Sequence, residues 1–232
     1  MAGKFMRGAL VQFMPTFLRP LPNVIIFQFN PETMTHSWTQ PESAEGAALR
    51  SNPLAVRGLP GEEFSFTISM DAQEMIADGS PIAQAAATAT GIYTRLAALE
   101  MLMFPTQAFA VGGLVGQVGA SLLNRAFIPA RSVPESQTPV VIFVWGPERI
   151  VPVRVTSLTI TEKLYDELLN PIQADASLGL RVLTPEELLA VSGTLAPVAK
   201  AAYLYSQALR QTLAVANLEN AVESIIGMLP VG

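Results

Sequence analysis

The residue types that could carry chemistry are sparse in this chain, and they do not converge. The single histidine, His36, lies in an alternating strand-like stretch without a cysteine or a carboxylate pair beside it. Metal and acid-base sites need several convergent groups, so this pattern favours a structural histidine. Acids cluster only near a helix start, where the helix dipole favours them, and around a loop. These acids are Asp71, Glu74 and Asp78 in the first group, and Glu162, Asp166, Glu167 and Asp175 in the second.

Glycines and serines add no catalytic pattern. The glycines between Gly112 and Gly119 are not followed by Lys-Ser/Thr, so they do not form a phosphate-binding loop. Ser43, Ser51 and Ser157 lie in no G-x-S-x-G turn. The sequence therefore predicts a protein that is not an enzyme, with no catalytic, cofactor-binding or metal-binding residues and no cofactor.

Composition narrows the classes of protein further. The 232 residues suffice for one domain, or for one domain with an appendage, and no cysteine is present for disulfides. Half of the residues are hydrophobic and only 14% are charged, against about 25% in average proteins. Low charge indicates a surface covered by neighbouring subunits, with a membrane protein as the rival explanation. A net charge of −5 with scattered basic residues argues against nucleic acid as a partner.

An uncharged, glycine-rich segment at 101–124 leaves two interpretations open. Gly112 and Gly116 have the G-x-x-x-G spacing of membrane or helix-packing elements. Alternatively, the segment is an apolar insertion that packs on its own domain or on a neighbouring subunit. Pro105 and Asn124 are among the residues that shorten its apolar length below the need of a membrane span, which favours the insertion. The stretch after Lys4 also lacks the apolar core of a secretory signal.

Alternation and apolar runs predict a β-rich first part. Strands are expected at 9–13, 24–29, 33–40, 64–70, 140–145, 150–161 and 178–182, with a long loop at 41–61. Within 150–161, apolar residues change parity, which predicts a β-bulge near Thr156 and Ser157.

Capping signals predict where helices begin. Ser80-Pro81 starts a helix that extends to about residue 103, where Phe104-Pro105 ends it. Thr184-Pro185-Glu186-Glu187 is a capping box, and a longer helix follows Pro197. The predicted organisation is a β domain at 1–184, with an insertion at 104–138, and a helical extension at 185–232.

Three short motifs, in this order, resemble the tube-like domain of contractile injection systems, the phage-tail-derived machines that drive a spike through an envelope. They are Phe29-Asn30-Pro31-Glu32, Phe143-Val144-Trp145-Gly146, and Asn170-Pro171-Ile172-Gln173-Ala174-Asp175. The chain is most similar to the adaptor between the inner tube and the spike. The resemblance covers residues 8–183 apart from the insertion. Its strand-end or interface residues are Phe29, Asn30, Pro31, Trp145, Gly146, Asn170 and Pro171.

The resemblance implies a mainly β, α+β fold: a tube-protein-like β-barrel with one side helix, joined to its neighbours in a six-fold ring. It implies four partners, namely further copies of the chain, the inner tube protein, the trimeric spike protein and baseplate subunits. It also implies synthesis in the cytoplasm and residence in an assembled particle that can be released outside the cell. Many adaptors continue into a peptidoglycan-binding LysM module, whereas the predicted helical tail lacks its strands. A phage-type tail tube protein and a membrane-associated small domain remain the alternatives.

Overall fold

The computed structural model describes residues 6–14, 21–41, 56, 58–78, 81–105, 138–191 and 196–228. Its strands are β1 (Ala9–Met14), β2 (Leu21–Ile26), β3 (Met34–Thr39), β4 (Gly61–Asp71), β5 (Val141–Val144), β6 (Ile150–Tyr165) and β7 (Pro171–Val182). The helices are α1 (Ala72–Asp78), α2 (Pro81–Thr90), α3 (Tyr93–Glu100), α4 (Pro185–Ala190) and α5 (Ala196–Met228). Among the described residues, the seven strands form one antiparallel sheet of order β2-β1-β5-β6-β7-β4-β3. The predicted mainly β, α+β class is therefore confirmed.

Aromatic contacts show that this sheet is strongly curled. Phe64 and Phe66 on β4 lie 5.4 and 5.5 Å from the ring of Phe143 on β5. Two strands separate β4 from β5, so a flat sheet would hold these strands about 14 Å apart. The apolar face is therefore concave, and its side chains meet in one core. This face also contributes Leu10, Ile68, Met70, Val151, Val153, Val155, Leu178, Leu180 and Val182, all buried.

A buried amide links the chain just after β2 to the far end of β4. The side-chain nitrogen of Gln28 donates to the carbonyl of Asp71 at 2.9 Å, and the Asp71 amide donates to the Gln28 Oε1 at 3.0 Å. The Gln28 side chain thus exchanges two hydrogen bonds with the Asp71 backbone, as a residue of a neighbouring strand would. β2 and β3 themselves do not pair with each other within the described residues. The sheet is thus open, and a side chain bridges its curled ends.

The continuous helix predicted for 81–103 is wrong. α2 ends at Thr90, Gly91 adopts a φ of +57°, and α3 starts again at Tyr93. A Cβ at Gly91 would lie 2.2 Å from the Pro171 carbonyl oxygen, and that oxygen accepts from the Ile92 amide at 3.0 Å. This contact with β7 breaks the helix. It also directs Ile92, Leu96, Leu99 and Leu102 into the core.

The two C-terminal helices cover the opposite face of β5. Leu188 of α4 and Ala199 of α5 are buried against Val140 and Ile142, which point away from the main core. The predicted capping box is confirmed: the Thr184 hydroxyl accepts from the Glu187 amide at 3.4 Å, and the Glu187 carboxylate accepts from the Thr184 amide at 2.9 Å. The predicted helical tail therefore packs on the sheet.

Strand boundaries differ most in the second half of the chain. β7 begins at Pro171 rather than at 178, and β6 continues to Tyr165 rather than ending at 161. The predicted bulge is confirmed by a register shift between Val155 and Ser157. Most of the insertion predicted at 104–138, and most of the loop predicted at 41–61, lies outside the described residues.

Candidate assembly surface

Within the described residues, the outer edge of β2 has no strand partner, and two further free edges lie on either side of the strands β6, β7, β4 and β3. β6 pairs with β7 from Val153 to Tyr165, but β5 pairs with β6 only from Ile150 to Val153. The β5-facing edge of residues 157–165 therefore carries main-chain groups without a strand partner. β3 ends the sheet on the other side and pairs only with β4. Free edges of this kind bind further strands.

Between these two edges lies a segment of four strands, β6-β7-β4-β3, whose outer face is lined by hydroxyl groups. A shallow groove of about 360 Å³ runs across this face. The hydroxyls that line it belong to Thr33, Thr35, Ser65, Thr67, Ser157, Thr159 and Ser177. The hydroxyls of Thr67 and Ser177 are 2.8 Å apart and hydrogen bond to each other. The result is a polar but uncharged band that spans the sheet from one free edge to the other.

Charged groups lie at the end of the hydroxyl band that is nearest to α1. Asp175 accepts from the Ser69 hydroxyl at 2.8 Å and forms an ion pair with Lys163. These bonds lower the pKa of Asp175, the Lys163 hydrogen bond first. One row further along, the Gln173 amide donates to the Asp71 carboxylate at 2.7 Å. The polar groups at this end thus bond to one another across β4, β7 and β6.

A buried carboxylate lies on the core face of the sheet, near the start of β4 and away from α1. Glu62 is 3% exposed, and its Oε1 lies 2.8 Å from the His36 Nε2. Arg210 of α5 donates to both carboxylate oxygens, to Oε2 at 3.0 Å, and lies over the Trp38 ring at 4.9 Å. Burial lowers the pKa of His36, although the bond to Glu62 acts against this effect. With its partners satisfied, this cluster fixes α5 to the sheet.

The end of β6 and its connection to β7, residues 164–170, form an apolar tip. Leu168 and Leu169 are each 79% exposed, and Leu164 and Tyr165 are also exposed. The Asp166 carboxylate accepts from the Leu168 and Asn170 amides, both at 2.8 Å. The hydrogen bonds from Asn170 lower the pKa of Asp166. We call residues 164–170 the hairpin tip.

The first predicted motif follows β2. The Asn30 side chain accepts from the Gly8 amide at 2.9 Å and donates to the Met6 carbonyl at 2.8 Å. Phe29 is exposed and Pro31 is half-buried. Asn30 therefore fixes the chain before β1, while the neighbouring Phe29 offers an apolar side chain to solvent.

The other predicted site residues occupy two separate turns. Trp145 is half-buried, with its ring 6.3 Å from Phe27, and Gly146 has a φ of +72° in the turn from β5 to β6. Asn170 donates to the Asp166 carboxylate at 2.8 Å, and the buried Pro171 starts β7. The structure does not bring the three motifs into one cluster.

The sequence did not indicate the Glu62 cluster or the hairpin tip. Glu62 and Arg210 are 148 positions apart, and no local pattern relates them. The tip could have been found from its Asp-x-x-x-Asn spacing, since Asp and Asn side chains cap turns. Among the described residues, no group of three or more His, Cys, Asp or Glu could hold a metal ion.

In the part of the chain that the structure describes, no helix is long and apolar enough to cross a membrane. Neither a scan against protein-family models nor a search of curated proteins finds a match to this chain.

Proposed function

We propose that this chain is a structural ring component of a contractile injection system, coupling the inner tube to the spike and baseplate. The observation that carries the proposal is the pair of free edges on either side of the β6-β7-β4-β3 segment. A chain with one free edge at each side of a four-strand segment can join head to tail, and a head-to-tail joint closes into a ring when its rotation permits.

Strand direction supports this joint. The four strands of the segment alternate in direction, so β6 and β3 run oppositely within one copy. Copies related by a ring axis keep the same orientation, so β6 of one copy meets β3 of the next as an antiparallel pair. Antiparallel pairing needs no further rearrangement of either strand. Edges that would be a hazard in a monomer become the joint between subunits.

The outer hydroxyl face supports a channel lining. The joint would continue the uncharged hydroxyl band from each copy to the next. The core lies on the inner face of the sheet, and α4 and α5 pack against the outer face of β5, beside the four-strand segment. Six copies of four strands, at about 4.8 Å per strand, give a backbone diameter of about 37 Å. A rigid sheet of this kind transmits thrust along the axis without turnover, so the protein is not an enzyme.

Cysteine pairs test the joint directly, because the native chain has no cysteine. Thr35 and Ser157 lie in the same cross-strand row, at opposite sides of the segment. A Thr35→Cys, Ser157→Cys variant should give a ladder of covalent oligomers that ends at the hexamer. Thr35→Cys combined with Thr159→Cys or Thr161→Cys detects a shifted register. Each single-cysteine variant is the control. If no cysteine pair gives covalent oligomers larger than those of its controls, the proposal is contradicted.

A further inference from the structure

The hairpin tip holds two leucines in a backbone conformation that leucine rarely adopts. Leu164 has a φ of +49° and Leu169 a φ of +64°. In this left-handed region the Cβ crowds the carbonyl oxygen, so glycine and asparagine are the usual residues. Strain of this kind persists where surrounding contacts over-determine it, and it clusters at functional positions.

Hydrogen bonds of Asp166 over-determine the tip. The Asp166 carboxylate accepts from two backbone amides of the tip. The Asp166 amide in turn donates to the Asn170 carbonyl at 3.0 Å. The Asn170 side chain returns a bond to the Asp166 carboxylate at 2.8 Å. The loop is therefore pre-organised, and it presents apolar side chains to solvent in one fixed arrangement. A single exposed leucine is ordinary, but a strained turn with three of them indicates a contact surface.

A complementary surface lies on the same chain, near its start. Met6 and Phe29 are exposed, and Asn30 bonds to the Met6 carbonyl and the Gly8 amide between them. We call Met6, Arg7 and Phe29 the N-terminal patch. Burial first, and then the positive charge of Arg7, lower the pKa of Arg95. The patch is thus apolar with a basic border, while the tip is apolar with the acids Asp166 and Glu167.

We infer that the hairpin tip of one copy docks on the N-terminal patch of the adjacent copy in the same ring. This inference rests on the proposed function, because the pairing of β6 with β3 determines where the two surfaces lie along the ring axis. Gln28 bonds to the Asp71 backbone, and Asp71 shares a row with Gln173 and Lys163. Phe29 therefore lies at the level of Lys163, directly before the tip. Opposite charges and apolar side chains then face each other across the joint.

Cross-linking with a bismaleimide separates this inference from the proposed ring. A Met6→Cys, Leu168→Cys variant should give the same ladder as the Thr35→Cys, Ser157→Cys variant, at equal protein concentration. If the edge pair cross-links and the tip pair does not, the docking is wrong while the ring stands. If neither pair cross-links above its single-cysteine controls, the ring and the docking both fail.

Charge and strain give a second measurement. Glu167→Arg should weaken oligomer formation about tenfold by sedimentation, and adding Arg7→Glu should restore it, because the opposite signs are then exchanged. Leu168→Ser with Leu169→Asn should lower oligomer formation while the melting temperature of the monomer stays equal or rises, because Asn tolerates the left-handed region. Unchanged oligomer formation in both the Glu167→Arg and the leucine variants would overturn the inference.

Discussion

Arg210 on α5 donates hydrogen bonds to both carboxylate oxygens of Glu62 on β4, a residue 148 positions away in the chain. The Glu62 carboxylate is almost fully buried, whereas the Arg210 side chain keeps 29% of its exposure. Burying a charge costs free energy that only a well-placed partner offsets. The contact therefore ties the C-terminal helix to the sheet, which no short-range signal in the sequence required.

Replacing Arg210 by alanine should lower the free energy of unfolding by about 2–3 kcal/mol. This is less than the ~3–5 kcal/mol for a fully buried pair, because Arg210 remains partly exposed. Urea denaturation measures the change. Arg181→Ala is the matched control: its pair with Glu187 is more exposed and should be worth less than about 1 kcal/mol. Equal losses of stability in the two variants would contradict the larger contribution expected of the Arg210–Glu62 pair.

Stability should depend on pH through His36, the only histidine. Burial holds its folded pKa below the ordinary 6.5, so the unfolded chain binds the proton at higher pH than the folded chain. The stabilisation is complete above about pH 6.5 and is lost as the pH falls towards the folded pKa. Urea midpoints between pH 7.5 and 5.5 measure it. His36→Gln should flatten this slope, and an unchanged slope would exclude His36 as its source.

Gly91 should tolerate alanine far less than Gly146 does. Both have positive φ, but a Cβ at Gly91 meets the Pro171 carbonyl, while a Cβ at Gly146 meets nothing within 4 Å. Gly146→Ala should cost about 1 kcal/mol of backbone strain, and Gly91→Ala about 3 kcal/mol, since the β7 contact must also shift. Thermal unfolding of both variants tests this, and similar melting temperatures would contradict the close contact between the α2–α3 turn and Pro171 at the start of β7.

Replacing Trp145 by alanine should lower the free energy of unfolding by about 3 kcal/mol, because its ring packs against Phe27 and Phe143 in the core. Trp38→Ala is the matched control. Trp38 is 46% exposed and contacts the His36 ring and Arg210, so its loss should cost about 1 kcal/mol. A Trp145→Ala variant that melts like the native protein would contradict this packing.

Patterns confined to a few neighbouring residues predicted their structures well. The change of parity in β6 located the bulge, and the Thr184 capping box located α4, because both depend on local backbone geometry. The start of β7 was missed because its inward residues Ala174 and Ala176 are small, so the alternation lacks large apolar side chains. The break at Gly91 was missed because a distant carbonyl causes it.

The candidate surface was predictable only in part. The resemblance named Asn170 and Pro171, which end the hairpin tip and start β7, but it did not indicate the exposed leucines beside them. The free edge of β6 depends on how short β5 is relative to β6, and a sequence does not state which strands pair. Long-range pairing therefore accounts for what sequence reasoning left out.

We propose that copies of this chain join through β6 and β3 into a closed six-fold ring. Electron microscopy of the concentrated, purified protein tests it most directly, with native mass spectrometry to count the copies. We expect single rings of six copies around a central channel. Long stacked tubes would favour a tail tube protein over an adaptor. A protein that stays monomeric under these conditions would contradict the proposed ring.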